Sequence, residues 1–434
     1  MSGAKKAGPK DHVRVITGSE EYIGILMPRP EILEEGITVL KLENGYNIGI
    51  EDKKIKSIEL IKPYAPKQQK KKRLAVNPKL PTVSILSTGG TISSKIDYST
   101  GGVCADYTAE DFVEMCPELE KTANIRAKKV MNVMSEDFTY KDWQEMARSA
   151  VLELKKKEID GVVITMGTDM LHFAASALSF FIRNPGKPVI ITAAQRSIDR
   201  GSSDAFMNLV CSVNSAANLD FSGVASCMHG TADDEYCIIN RGTKVRKMHT
   251  SRRDAFRPVN ELPIAKVYPD SRIEILNKEH EKRSRCSPEL DDRFCSSIAL
   301  VQIYPGMKGD IIDFYVDKGY KGIVLSATAL GHVPTGKQNS ILENISNAIS
   351  RGVTVVIASQ TLYGRTHPYV YTNLRKLSIQ LGCVFAGDML PETAFVKLGW
   401  VLGHKKAPAE IRELFLKNIA GELTERSSAE SFLF

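Results

Sequence analysis

The chain has 434 residues, too many for one ordinary hydrophobic core, so two or three domains are expected. Hydrophobic residues make up 43% and charged residues 25%, as in soluble globular proteins; no apolar run approaches the roughly 20 residues of a bilayer span, and the polar start MSGAKKAGPKDH has no apolar core to act as a secretory signal. A net charge of +7 permits contact with RNA without demanding it, and the eight cysteines form no CxxC pair, which argues against a disulfide framework or a zinc site and for a reducing cytosol.

Residues 1–65 contain short β-type runs, His12–Thr17, Tyr22–Met27, Ile37–Leu42 and Tyr46–Ile50, punctuated by Gly18, Gly24, Gly36 and Gly45. Asn44-Gly45 is a hairpin signal, because this pair readily takes the positive φ values of a two-residue loop. Four or five such strands predict a small β-barrel. Residues 66–80 follow with Lys67-Gln-Gln-Lys-Lys-Lys-Arg73, which lacks apolar periodicity. A solvated linker is the plain reading and an RNA or partner contact the sharper one.

From residue 81 onward, apolar strands alternate with helical stretches, the pattern of α/β architecture with parallel sheets. The strands are Val83–Ser87, Gly161–Met166, Val189–Ala193, Val224–Met228, Ile298–Ile303, Ile323–Ser326 and Val353–Ala358. Several are near-continuous Val/Ile runs, as strands buried on both faces should be. Helical stretches fall at Lys141–Lys156, Leu171–Arg183, Ser340–Arg351 and Pro391–Leu402. The charged, aperiodic segment 271–295 reads as a connection between an α/β domain at 81–270 and a second at 296–434.

Ligands of open α/β sheets bind beyond the carboxyl ends of the strands. The first strand ends Ser87-Thr88-Gly89-Gly90-Thr91, and the second Met166-Gly167-Thr168-Asp169. Each is a glycine turn that permits close backbone approach, frees amide N–H groups to face a developing negative charge, and presents a hydroxyl. Thr168 or Asp169 could equally be a helix N-cap. A competing motif, Gly331-His-Val-Pro-Thr-Gly336-Lys337, has the context of a phosphate loop. Gln338 replaces its magnesium-binding hydroxyl, however, and Pro334 removes an N–H from the cradle. The eight histidines show no HxH or HExxH spacing, so no metal is expected; His172 and His332 are expected to make ordinary hydrogen bonds.

Thr88-Gly-Gly-Thr-Ile92 and Gly167-Thr-Asp169, in that order, resemble the two signature motifs of the bacterial-type asparaginase/glutaminase family. The resemblance continues through Val130–Asp137, Gly242–Thr250 and Gly387–Trp400, covering the chain from about Pro81 to its end. It implies a two-lobed asparaginase-like fold in which Thr91 is the nucleophile, Thr168 and Asp169 the second catalytic pair, and Lys247 the catalytic lysine. Lys244, three residues earlier, is the alternative register. Ser135 matches a serine that holds the substrate α-carboxylate, Glu136 stands where the family more often has glutamine, and Tyr98 matches a mobile-loop tyrosine. The chemistry agrees: a threonine hydroxyl needs a neighbouring base, and lysine serves only when neutral, which requires its pKa to fall from about 10.4. Asp169 favours the charged form, so its expected task is to orient Lys247 and stabilise the ammonium formed after proton transfer. The Gly90 and Gly167 turns would face the substrate and its oxyanion.

About 80 residues precede the first signature strand, and Leu40-Lys-Leu-Glu-Asn-Gly-Tyr-Asn-Ile48 together with Thr91–Gly101 resemble the GatD family of archaeal glutamyl-tRNA(Gln) amidotransferases. That resemblance implies a cytoplasmic glutaminase that feeds ammonia to the GatE partner of the amidotransferase, which uses ATP and Mg2+ to amidate Glu-tRNA(Gln). It also implies a homodimer core within a heterotetramer, an ammonia channel, no cofactor in this chain and no membrane contact. The alternatives are a stand-alone cytosolic asparaginase and a non-catalytic RNA-binding scaffold.

Overall fold

Alternation of apolar and polar residues between His12 and Lys62 builds five antiparallel strands: β1 (His12–Thr17), β2 (Glu21–Leu26), β3 (Ile37–Lys41), β4 (Asn47–Glu51) and β5 (Ile55–Lys62), in the order β4-β3-β2-β1-β5. The structure is a computed structural model that describes residues 7–27, 36–64, 76–90, 95–96, 103–104, 109–198 and 201–434. Val13, Val15, Leu40 and Ile50 form the buried centre of this front module, and among the described residues β4 and β5 are not paired with each other. The β3–β4 turn is wider than the two-residue loop expected: Leu42 N–H donates to Tyr46 O, and of the Asn-Gly pair Gly45 alone has positive φ, at 85°. A three-residue loop needs only one left-handed position, which glycine supplies without strain. The basic run 67–73 lies outside the described residues.

The main body begins with β6 (Thr82–Ser87), β7 (Asn124–Lys129), helix α1 (Tyr140–Leu154), β8 (Gly161–Thr165), helix α2 (Leu171–Phe181), β9 (Pro188–Thr192), helix α3 (Ala205–Asn218), β10 (Gly223–His229), β11 (Cys237–Arg241) and β12 (Val245–Lys247). Two short strands, β13 (Ala265–Val267) and β14 (Ile273–Ile275), complete an eight-stranded sheet of order β14-β13-β11-β10-β9-β8-β6-β7. Strands β7, β6, β8, β9 and β10 run parallel, while β11, β13 and β14 add antiparallel edges. The all-buried strands GVVIT and PVIIT sit at its centre, between helices on both faces. Helix α1 shows why the pattern folds locally as it does. Thr139 and Asp142 close a capping box, and Trp143, Met146, Ala147, Ala150, Val151 and Leu154 form one buried stripe at helical spacing. Segment 271–295 is more than a connection, since β14 at its start is the sheet's edge strand and Glu289–Leu290 pairs with Ile182–Arg183.

The second lobe is a four-stranded, all-parallel sheet, β15 (Ile298–Gln302), β16 (Gly322–Ala327), β17 (Thr354–Ser359) and β18 (Val384–Phe385), paired in that order. Helices α4 (Asp310–Asp317) and α5 (Leu342–Ser350) cover it, and α6 (Pro391–His404) lies against α2 of the first lobe. Phe180 stacks on Trp400 at 6.0 Å, and residues of both lobes share one buried cluster, so the lobes are joined by core rather than by a linker. The phosphate-loop-like segment is not one: Gly336, Lys337 and Gln338 form an exposed turn, and α5 begins only at Leu342. No helix among the described residues is long and apolar enough to cross a membrane.

Candidate active site

Three adjacent parallel strands, β7, β6 and β8, end at the same edge, and each delivers one of the sequence motifs. The register aligns Ser87 with Lys129 on one side and with Thr165 on the other, so the segments that follow leave the sheet side by side. Thr88 fixes the first turn, its N–H and its hydroxyl both donating to Thr165 O at 3.0 Å. On the other side Val130 N–H donates to Ser87 O and Val133 N–H to Thr88 O, which draws Val130–Asp137 against the same turn.

The glycines are required by close approach. Gly89 and Gly90 have φ of 111° and 79°, a region that favours glycine. A Cβ at Gly90 would lie 2.4 Å from Gly167 N, one at Gly89 2.8 Å from Val133 O, and one at Gly167 2.7 Å from Ser135 Oγ. The glycine turns of the two signature motifs therefore touch backbone to backbone, with the Ser135 loop packed over them. Ser135 is buried and Glu136 exposed, with 3.5 Å from Ser135 Oγ to Glu136 Oε2. Thr91 and Tyr98 lie outside the described residues; the turn that carries Thr91 is placed as far as Gly90.

Lys247, at the end of β12, reaches across to this edge. Its Nζ donates to Thr168 Oγ1 at 2.8 Å and to Asp169 Oδ1 at 2.6 Å. That contact holds the Asp169 carboxyl below the usual range: the Lys247 hydrogen bond is the largest cause, desolvation opposes it, and the Lys247 charge and the Thr168 hydroxyl add to the lowering. The capping alternative does not hold, because α2 starts at Leu171 behind Met170 and receives no side-chain cap. Geometry also separates the two candidate lysines. Lys244 is buried on another course, with Nζ 2.6 Å from Asp388 Oδ2, and Asp388 in turn accepts from Thr424. Burial pushes the Lys244 amine down while Asp388 opposes the shift.

Several groups carried no signal in the sequence. His172, in the first turn of α2, is expected to make ordinary hydrogen bonds, yet its Nδ1 has no partner among the described residues and its ring lies against Phe173. Burial, followed by the charges of Arg246 and Lys247, pushes it down to about 4. His332 packs edge-on against Tyr371. Arg246, beside Lys247 on β12, pairs at 2.7 Å with Glu392 at the start of α6, and burial raises the Glu392 carboxyl. Thr168 precedes the helix, so no helical periodicity relates it to His172 four residues later, and nothing local links Arg246 to Glu392. Among the described residues no cluster of histidine, cysteine or carboxylate side chains could hold a metal ion.

The sequence matches the family described as asparaginase, N-terminal, over residues 82–281, the glutaminase/asparaginase C-terminal domain over 297–415, and the GatD N-terminal domain over 7–61. It is 46% identical over 429 residues to the D subunit of glutamyl-tRNA(Gln) amidotransferase from Pyrococcus furiosus, covering 98% of this chain and 96% of the relative. The protein of that name from Methanothermobacter thermautotrophicus is 45% identical over 425 residues, 97% of this chain and 95% of its own. Among solved structures, the thermostable L-asparaginase from Thermococcus kodakarensis superposes with a TM-score of 0.71 at 30% identity, over 80% of this chain and 100% of that one. L-asparaginase I from Vibrio cholerae gives 0.69 at 26%, over 80% and 99%.

Proposed function

The chain belongs to the asparaginase/glutaminase family and, by its front domain and full-length relatives, to the GatD group of glutamyl-tRNA(Gln) amidotransferases; on that premise we propose that it is the glutaminase of such a complex. In this reading the Thr91 hydroxyl attacks the side-chain carboxamide carbon of glutamine and loses its proton to the amine base. The Gly90 and Gly167 turns supply amide N–H groups to the tetrahedral oxyanion; removing one such donor typically costs roughly 3 kcal/mol. The C–N bond breaks as the nitrogen takes up the proton, ammonia leaves, and water hydrolyses the acyl-threonine to glutamate and free Thr91. Lys247 is the base, and Asp169 orients it and balances its ammonium form. Ser135 and Glu136 receive the α-carboxylate and amino group, and Tyr98 is assigned to substrate binding.

The observation that carries this reading is the bridge from Lys247 to Thr168 and Asp169, formed beside a glycine turn that ends one residue before Thr91. The remaining chemistry falls to a GatE partner, which would activate the glutamate of Glu-tRNA(Gln) with ATP and Mg2+ and take ammonia through an enclosed path. Ammonia freed beside bulk water would be protonated and lost, so glutamine hydrolysis should depend on assembly. We place the complex in the cytoplasm, as a homodimer core bearing two GatE partners in a heterotetramer.

The test measures ammonia release from glutamine by the full chain, alone and with partner and charged tRNA. Turnover that rises on assembly and disappears in Thr91→Val is the expected result. High turnover of free asparagine by the isolated chain would instead make it a stand-alone asparaginase.

A further inference from the structure

Packing sorts the methionines of this chain into two groups. Met146, Met166, Met228, Met307 and Met389 lie in the core, and Met27, Met131 and Met207 are half-buried, whereas Met134, Met170 and Met248 are exposed by 51%, 37% and 42%. The three exposed ones share a place. Met134 immediately precedes Ser135, Met170 follows Asp169 and Met248 follows Lys247, so each adjoins a residue of the crevice described above. Those neighbours are themselves brought together, Lys247 onto Thr168 and Asp169, and Ser135 against Gly167.

The three methionines also hold the segments that present those neighbours. Met134 O accepts from Asp137 N–H at 3.0 Å, closing the turn that carries Ser135. Met170 O accepts from Ala174 N–H at 3.1 Å at the start of α2, and Met248 N–H donates to Ala255 O at 2.7 Å just past β12. A thioether is apolar and accepts hydrogen bonds only weakly, so solvent offers it little. Exposure does leave its sulfur lone pairs open to oxidants.

We propose that Met134, Met170 and Met248 form a modification site through which peroxides shut off the crevice, an inference that rests on the glutaminase reading above. A sulfur lone pair attacks one peroxide oxygen, the O–O bond breaks, and the attacked oxygen stays on sulfur as the sulfoxide. Its proton passes to the departing oxygen, which leaves as water; sulfur is oxidised and the peroxide reduced by the same electron pair. The product is polar, and its oxygen is a strong acceptor. Set one residue from Lys247, Asp169 and Ser135, it competes with Asp169 for the Lys247 ammonium and draws on the Thr168 and Ser135 hydroxyls, so the base loses the orientation its bridge provides. Core methionines escape because close packing excludes the oxidant, and enzymes that reduce the sulfoxide make the change reversible.

To test this, the full chain alone is treated with hydrogen peroxide, quenched with catalase and reduced with dithiothreitol, which reverses cysteine oxidation but leaves the sulfoxide. Ammonia release from glutamine is then measured after untreated partner and charged tRNA are added, with peptide mass mapping alongside. Sulfoxide should form at Met134, Met170 and Met248 before Met146, Met166 or Met228. Turnover should fall by about tenfold or more and return after treatment with methionine sulfoxide reductases. The triple variant Met134→Leu, Met170→Leu and Met248→Leu should keep its turnover through the same treatment. Turnover retained by the unsubstituted chain once all three are sulfoxides overturns the inference, and so does equal loss in the triple variant; the first of these arms needs no variant to fold. Absence of ammonia release from the untreated assembly would count against the glutaminase reading instead. Calorimetric binding of glutamine before and after oxidation then decides, and an unchanged affinity overturns the inference.

Discussion

Replacing Gly90 by alanine tests whether contact between the two glycine turns is what builds the site. The added Cβ would sit 2.4 Å from Gly167 N, 2.6 Å from Met166 C and 2.8 Å from Gly167 Cα, all backbone atoms that cannot rotate away. Ordinary contact begins near 3.4 Å, so the turns must part by about 1 Å, a displacement that can cost about 100-fold in rate when it misplaces reacting groups. The φ of 79° adds about 1–2 kcal/mol of left-handed strain. Gly352→Ala is the control: its φ is 81°, but no atom lies within 4 Å of the new Cβ, so it keeps the strain and loses the clash. Ammonia release from glutamine, read beside urea denaturation, should show a roughly 100-fold loss of kcat/KM for Gly90→Ala and near-normal activity for Gly352→Ala, with both variants folded. Near-normal turnover in a folded Gly90→Ala would refute the reasoning, because the two motifs would then not need each other's proximity.

Lys247→Met should lower kcat by about 10²–10⁴-fold while the fold survives, since Asp169 is exposed and can be solvated when its partner goes; steady-state kinetics and thermal melting read the two effects. Lys244→Met should do the opposite, costing about 3–5 kcal/mol of stability by stranding the buried Asp388 carboxylate, and denaturation of the double variant with Asp388→Leu should recover much of that loss. His172 makes the protein acid-sensitive. Unfolded chains take up its proton below 6.5 and the folded chain only below about 4, so stability is full above 6.5 and falls as pH drops through that window. The gap amounts to about 3 kcal/mol. His172→Phe should flatten urea midpoints between pH 7 and 4, and an unchanged slope would show that His172 is not the group responsible.

Much of the architecture could be read from short-range pattern. Short, mostly buried apolar runs located β6, β8, β9, β10, β15, β16 and β17 to within a residue or two, because a strand covered on both faces has few polar positions to blur its limits. Edge strands escaped for the converse reason. Asn124–Lys129 reads NIRAKK, half solvated and charged, and β14 sits in a segment whose composition is that of a loop. Helix α3 escaped as well: AFMNLVCSVNSAAN is buried nearly all round, so it lacks the polar face that marks helical periodicity.

The candidate site divides along the same line. Sequence alone determined which turns could host chemistry, since glycine turns followed by hydroxyls at strand ends are local features with local causes. It could not say which of Lys244 and Lys247 reaches Thr168 and Asp169, because that contact depends on where β12 lies relative to β8, nearly 80 residues away in the chain. Nor could it pair Arg246 with Glu392 or leave His172 without a hydrogen-bond partner. Those relations exist only once helix α6 docks on the first lobe and burial removes water from groups that would otherwise be solvated.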